Sequence, residues 1–321
     1  VAAFAVAPRD AVLLRNDPAG ARNARGTSAP VARNAQPKTQ RDELGGTAGR
    51  VQASPVPCQT AFPFVLGHVR PFGPARLIVD DRAADGYPRT TLTNDHIAMT
   101  LAPAAGARAF SLTATLDGCT QVNAFTSVGA LRDDVAIQPP LSTTDRIGKY
   151  TRSFPAGTFN RVYRFAPADA PANMAALGVD ADVADVVPAG AHFARTLLLG
   201  DADDAVEVRE RVRFAGGIAA APQRAVRYDS FDTRGATTLD ERADGAIGFF
   251  FPAAGYVTIV TWSSGDVETA ALIAERTSTV VQLRFAPDRE TRTRYAVARA
   301  ADLAGARAAL AKERAALSTP P

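Results

Sequence analysis

Between residues 75 and 298 short apolar runs recur at close intervals, each bounded by Gly, Pro, Asp or Asn. They are Ala75–Asp80, His96–Ala102, Ala107–Leu116, Val122–Val128, Phe159–Phe165, His192–Leu199, Ala205–Phe214, Ala246–Phe251, Tyr256–Trp262, Thr279–Phe285 and Arg292–Ala298. Several are rich in β-branched residues or alternate apolar with polar at a period of two, the pattern of strands with one buried face. Parallel strands need a long crossover, most often a helix, and helical periods are missing from the gaps. The runs therefore predict antiparallel sheets. About a dozen strands over this length predict an all-β fold, a large two-sheet sandwich.

Outside this stretch the pattern changes. Val6 to Leu14 reads as a strand interrupted by a Pro-Arg-Asp turn, so residues 1–15 look like the strand pair of an upstream β-domain. Residues 16–60 are rich in Ala, Arg, Asn, Gly, Pro and Gln, with few large aliphatics. Such a segment cannot bury enough apolar area to offset its ordering entropy, and a flexible, disordered linker is expected. The folded unit is expected over 61–300. A C-terminal helix and tail follow over 301–321, with Leu303, Leu310 and Leu317 every seven residues on an Ala-rich background. The helix is expected on the outside of the sandwich or against a partner. Residues 166–190 read as an acidic, Ala-rich insertion, an extended loop or short helix rather than a core strand.

Charge narrows the function classes. Of 36 basic residues only Lys38, Lys149 and Lys312 are lysine, and the formal net charge is +3. Basic runs interleaved with aromatics are absent and acidic residues are mixed throughout, which argues against nucleic acid. Nothing approaches the length of apolar chain that spans a bilayer. Val1 to Val6 is apolar without a basic region before it, so a secretory signal is not expected there. The first residue, Val instead of Met, is expected to mark a processed product or a piece of a longer protein. Two cysteines, Cys58 and Cys119, exclude a four-cysteine metal site. They form one disulfide or stay as idle thiols.

Two stretches carry a resemblance. One is LTNDHIAMTLAPAAGARAFSL, residues 92–112, an Asn-containing turn leading into a strand, a proline, a Gly turn and a second strand. The other is AHFARTLLLGDADDAVEVRERVRF, residues 191–214, a long hairpin. Together they resemble the galactose-mutarotase-like β-supersandwich, the fold of aldose epimerases and of β-domains in glycoside hydrolases and polysaccharide lyases. The resemblance spans roughly 75–300. Residues 2–15 resemble the closing strands of the β-domain that often follows a glycosidase barrel. This implies an accessory part of a bacterial multidomain glycoside hydrolase, with a secreted or cell-envelope location favoured over a cytoplasmic one. Mutarotases carry a pair of catalytic histidines with a carboxylate base. Here His68, His96 and His192 are the only histidines, and none matches that context. Mutarotase catalysis is not carried over.

Candidate chemistry concentrates in residues 123–164, where Arg132, Asp133, Asp134, Tyr150, Asn160, Arg161 and Tyr163 crowd a Pro/Gly-punctuated loop. Planar polar groups bond sugar hydroxyls and rings stack on a pyranose face, so this loop reads as a saccharide site or as a loop pinned by its own salt bridges. Asp134 is a candidate acid or base, with Glu210 or Asp145 as its partner. In 206–214, Val206, Val208, Glu210, Val212 and Phe214 share one face by alternation. Glu210 then needs an arginine partner or serves as a base, because an unpaired buried charge is costly. Arg209, Arg211 and Arg213 share the other face, to which Arg284, Arg292 and Arg294 are candidates to add. This is a cationic surface suited to an acidic polysaccharide or a solvated face. Trp262, the single tryptophan, is a sugar platform or a core plug. Phosphate-binding, serine-hydrolase and metal signatures are absent, and no cofactor is expected.

Three roles fit these readings. The first is a non-catalytic carbohydrate-associated domain that braces an upstream glycosidase domain or binds polysaccharide. The second is a carbohydrate-active epimerase, lyase or hydrolase using carboxylates and Arg/Tyr of 132–164. The third is a structural interaction module without sugar binding.

Overall fold

The computed structural model describes residues 71, 73–80, 88–116, 120–137, 161–182, 190–214, 223–263, 265–285 and 288–318. The expected strand pair at 1–15, the linker at 16–60, Cys58, Cys119, Asp145, Tyr150 and Asn160 lie outside these residues.

The fold is all-β, with one α-helix among the described residues. A five-stranded sheet holds β1 (Arg76–Asp80), β2 (Arg89–Thr93), β3 (Ile97–Ala102), β4 (Arg108–Leu116) and β5 (Thr120–Asn123) in sequence order. A four-stranded sheet takes β6 (Arg132–Ile137) and β11 (Gln223–Asp232) with β15 (Val267–Ala274) and β16 (Ser278–Phe285), in the order β15-β16-β11-β6. The remaining strands make an eight-stranded sheet. They are β7 (Arg164–Pro167), β8 (Met174–Asp182), β9 (Ala191–Gly200), β10 (Ala205–Phe214), β12 (Thr237–Glu241), β13 (Ala246–Phe251), β14 (Tyr256–Trp262) and β17 (Glu290–Arg299). Their order is β12-β13-β14-β17-β10-β9-β8-β7. Every pairing is antiparallel, as for example in β9 with β10 and β14 with β17.

The two-layer expectation holds in a specific form. One apolar cluster draws on the same face of the eight-stranded sheet (Leu177, Leu197, Val208, Val260, Tyr295) and on both smaller sheets (Leu92, Met99, Leu112; Phe231, Val281, Leu283). The second layer is thus shared by two sheets side by side. Each fully buried aliphatic or aromatic side chain in this cluster is worth about 1.5–3 kcal/mol.

Residues 124–131 stitch the two smaller sheets together. Thr126 N–H donates to the Ser230 carbonyl at 3.0 Å, Ser230 N–H to that of Gly129 at 3.1 Å, and Ala109 and Ala130 exchange backbone bonds at 2.9 and 2.8 Å. Gly129 has φ +80°, and a Cβ there would overlap the Ala109 carbonyl oxygen, so the close approach requires glycine.

The Asn-containing turn of the resemblance has a structural task. Asn94 is fully buried. Its Nδ2 donates to the Gly200 and Asp203 carbonyls at 2.8 and 2.7 Å, and its Oδ1 accepts from His96 and Ile97 N–H, both at 2.9 Å. One side chain ties the start of β3 to the β9–β10 turn. Asn94→Ala strands these backbone groups and is expected to cost about 2–3 kcal/mol, read from the urea midpoint at unchanged slope. A loss below about 0.5 kcal/mol would refute the assignment.

Helix α1 (Leu303–Ser318) lies on the outer face of the eight-stranded sheet. Ala306 and Leu310 pack with Phe250, Val257, Ile259 and Ala296 from β13, β14 and β17. The seven-residue leucine repeat is only partly a core seam, because Leu310 is buried while Leu303 is exposed.

Two segments differ from expectation. Residues 166–190 contain β8, a nine-residue strand whose Ala175, Leu177, Val179 and Ala181 face the core. Alanine and acidic residues mask its alternation, because Asp180 and Asp182 occupy the outer face. Within 123–164, residues 132–137 form β6 instead of a loop, paired with β11 from Arg132↔Tyr228 to Ile137↔Gln223.

Candidate functional site

Polar side chains collect in two places, one between the layers and one on the outer face. The inner cluster arises where charged residues occupy core-facing positions of four strands. Arg195 on β9 sits between Phe193 and Leu197, and Glu210 on β10 between Val208 and Val212. Arg227 and Asp229 sit on β11 between Ala225 and Phe231, and Asp133 lies on β6. Arg195 Nη2 donates to Asp133 Oδ2, and both Nη2 and Nε donate to Glu210 Oε2 at 3.2 Å. Arg227 Nη1 donates to Glu210 Oε2 and its Nε to Asp229 Oδ2, both at 3.3 Å. The phenols complete the set. Tyr163 donates to Asp133 Oδ2 at 3.2 Å and Tyr295 to Asp229 Oδ2 at 2.7 Å. The five charged side chains are each at most 2% exposed.

Three carboxylates face two guanidiniums here, so one carboxyl is better protonated. Asp133 takes that part. Burial pushes its carboxyl up to about 8, the Glu210 charge adds to this, and the Arg195 and Arg227 charges only partly offset it. Burial likewise raises the Tyr163 and Tyr295 phenols well above their ordinary range. Burial works against the charged guanidiniums of Arg195 and Arg227, but the surrounding acids outweigh it and both stay protonated. Glu210 Oε1 and Arg227 Nη2 are among the buried atoms that make no hydrogen bond.

The outer cluster is an open groove of about 760 Å³ on β8, β9, β10 and β17, bordered by Ala316 of α1. The helix covers β13, β14 and β17 and leaves this part of the sheet uncovered. Alternation brings Glu207, Arg209, Arg211 and Arg213 to it from β10, His192 and Thr196 from β9, and Glu290 and Arg292 from β17. Glu207 organises one end. It accepts from Arg209 Nε at 2.9 Å and from Arg292 Nε at 3.0 Å, with Arg294 Nη1 at 3.7 Å. Burial raises the Glu207 carboxyl, but hydrogen bonds from Arg292 and Arg209 outweigh it and hold the carboxyl below its usual range. At the other end His192 Nδ1 lies 2.7 Å from Asp182 Oδ1. The side chains of Arg211 and Arg213 make no ion pair or hydrogen bond with any described residue.

The sequence candidates are distributed as follows. Asp133, Tyr163 and Glu210 meet in the inner cluster. Arg132 is buried beside it in sequence. Arg161 is half-buried, and its carbonyl accepts from Gly106 N–H at 2.8 Å. Asp134 stands in β6 opposite Val226. Trp262 is 3% exposed and belongs to the core, so its ring offers no open face to a sugar. Arg284 lies on β16 in the four-stranded sheet and not on the cationic face, because that face belongs to another sheet. Arg195, Arg227, Asp229 and Tyr295 were not singled out from sequence. The signal was there, since each of the first three breaks an apolar alternation as Glu210 does. Among the described residues no group of three or more His, Cys, Asp or Glu is placed to hold a metal ion. No described helix is long and apolar enough to cross a membrane.

The architecture is an antiparallel β-sandwich with an eight-stranded sheet as one layer and two smaller sheets as the other. No protein-family model and no curated protein matches the chain. Among solved structures it is similar to a candidate aldose 1-epimerase from Klebsiella pneumoniae, with TM-score 0.49 and 10% identity over 73% of this chain and 84% of that one. It is also similar to a galactose mutarotase-like protein from Clostridium acetobutylicum, with TM-score 0.46 and 6% identity over 70% and 98%. A third is the 4-alpha-glucanotransferase from Thermococcus litoralis, with TM-score 0.49 and 11% identity over 72% of this chain. The chain spans only 42% of the glucanotransferase.

Proposed function

We propose that this chain is a non-catalytic, carbohydrate-associated β-sandwich domain that holds a polysaccharide in the outer groove, as an accessory to an upstream glycosidase domain. The contrast between the two polar clusters carries this reading. Glu210, a candidate acid or base with Asp134, is shut between the layers at 2% exposure, where one guanidinium bridges it to Asp133. A glycosidic bond cannot reach Glu210. The groove is open and is lined by guanidinium, carboxylate, hydroxyl and imidazole groups. Such groups bond sugar hydroxyls, and the β9 and β10 strands that carry most of them are hydrogen-bonded on both sides.

A glycan array tests the proposal with two proteins, wild type and Thr196→Trp, which fills the groove floor. Wild type is expected to retain at least one polysaccharide, and Thr196→Trp to bind it at least about tenfold more weakly. A blank array for wild type would overturn the proposal. So would a reaction product released from any glycan by wild type and lost in Glu210→Gln.

A further inference from the structure

We infer that Arg211 and Arg213 form a polyanion subsite in this groove, so that its ligand is an acidic glycan whose carboxylates or sulfates engage both guanidiniums. This rests on the groove being a glycan site, and it adds the ligand's charge and the residues that read it.

The charge balance of the face points there. Glu207 engages Arg209, Arg292 and Arg294, so these three are already partnered within the protein. Asp182 is engaged by His192 and by Arg164. Glu290 stands opposite Arg211 in the β10–β17 ladder, yet the two make no ion pair. Arg211 and Arg213 both line the open groove and are left as cations without a side-chain partner among the described residues. A guanidinium with no counter-charge from the protein takes one from a ligand anion by paired, charge-assisted bonds.

Geometry adds the ligand's form. The two arginines are two residues apart on one strand, so their Cα atoms lie about 6.5–7 Å from each other on the same face. Strand β10 is hydrogen-bonded to β9 on one side and β17 on the other, so the pair is held at fixed spacing. A guanidinium matches the planar fork of a carboxylate, and of two sulfate oxygens, by paired N–H bonds. A chain carrying repeated negative groups engages both arginines at once with charge-assisted, paired bonds, which the hydroxyls of a neutral glycan do not supply.

The test measures affinity of the full chain for polygalacturonate, dextran sulfate and uncharged dextran at about 0.15 M salt, where long-range surface attraction is screened. Either polyanion is expected to bind roughly tenfold or more tightly than dextran, and the stronger of the two identifies carboxylate or sulfate as the group read. The double variant Arg211→Ala/Arg213→Ala is expected to lose that preference while melting as wild type does, because neither side chain has a partner to strand. Arg234→Ala, an arginine outside the groove, is expected to keep it. Equal affinity for charged and uncharged glycans would overturn the subsite and leave the groove reading standing. Polyanion binding that survives the double variant would overturn it too, as would tighter binding of duplex DNA than of either glycan. Binding to none of the three, together with a blank glycan array, would end both readings.

Discussion

Arg195→Ala is expected to lower the unfolding free energy by about 3–5 kcal/mol, the range for removing one partner of a buried ion pair. Arg195 joins three parts of the core. It spans Asp133 on the four-stranded sheet, Glu210 on the neighbouring strand, and the Ala107 carbonyl at 3.4 Å in the connection before β4. Its loss leaves two carboxyl groups facing each other with only Arg227 nearby. Urea unfolding of wild type and variant, compared at matched slope, gives the number. Asp133→Asn on the Arg195→Ala background is expected to recover part of the loss, because it removes one of the stranded acids. A loss below about 1 kcal/mol would mean that the network contributes little beyond filling space.

The second large effect is on pH dependence. The Asp133 carboxyl is raised from 3.8 to about 8 in the fold. Between those values the native protein holds a proton that the unfolded chain has released. Stability from this group is therefore complete below pH 3.8 and is lost as pH rises through about 8. The slope reaches at most about 1.4 kcal/mol per pH unit within the window. Wild type is expected to be several kcal/mol less stable at pH 8.5 than at pH 5.5. Asp133→Asn should flatten this slope, since an amide keeps the neutral form at every pH. Glu207 has the opposite sign but acts elsewhere. Its carboxyl is lowered from 4.5, so its contribution is lost only in acid below that value. Parallel wild-type and Asp133→Asn curves between pH 5.5 and 8.5 would refute the assignment of the proton to Asp133.

Both effects arise from residues that sequence alone read unevenly. Glu210 was legible as a problem, a carboxylate between Val208 and Val212 on an apolar face, and the requirement for an arginine followed from the cost of a buried charge. Its partner was not legible. Arg195 lies 15 residues away in sequence, Arg227 lies 17 away, and Asp133 is 62 from Arg195. The crowd of Arg132, Asp133 and Asp134 reads locally as a polar loop. It becomes a strand because β11 supplies backbone pairing and Arg195 supplies the charge that lets Asp133 face inward. Strand β8 failed for a related reason, because alanine carries little hydrophobic signal and its outer face is acidic.

The chain's own alternation determined that it folds as antiparallel ribbon, which side of β10 is apolar, that Asn94 marks a turn, and that a helix closes the C-terminal end. These are local properties, fixed by the two-residue period of a strand and by residues a few positions apart. Tertiary structure alone decided that the second layer is shared by two sheets, that Asp133 and Glu210 share one guanidinium, and that α1 leaves the arginine face of β10 open. Charges pair across space rather than along the chain, so only the packed sheets could say which arginines are spoken for and which face outward unanswered.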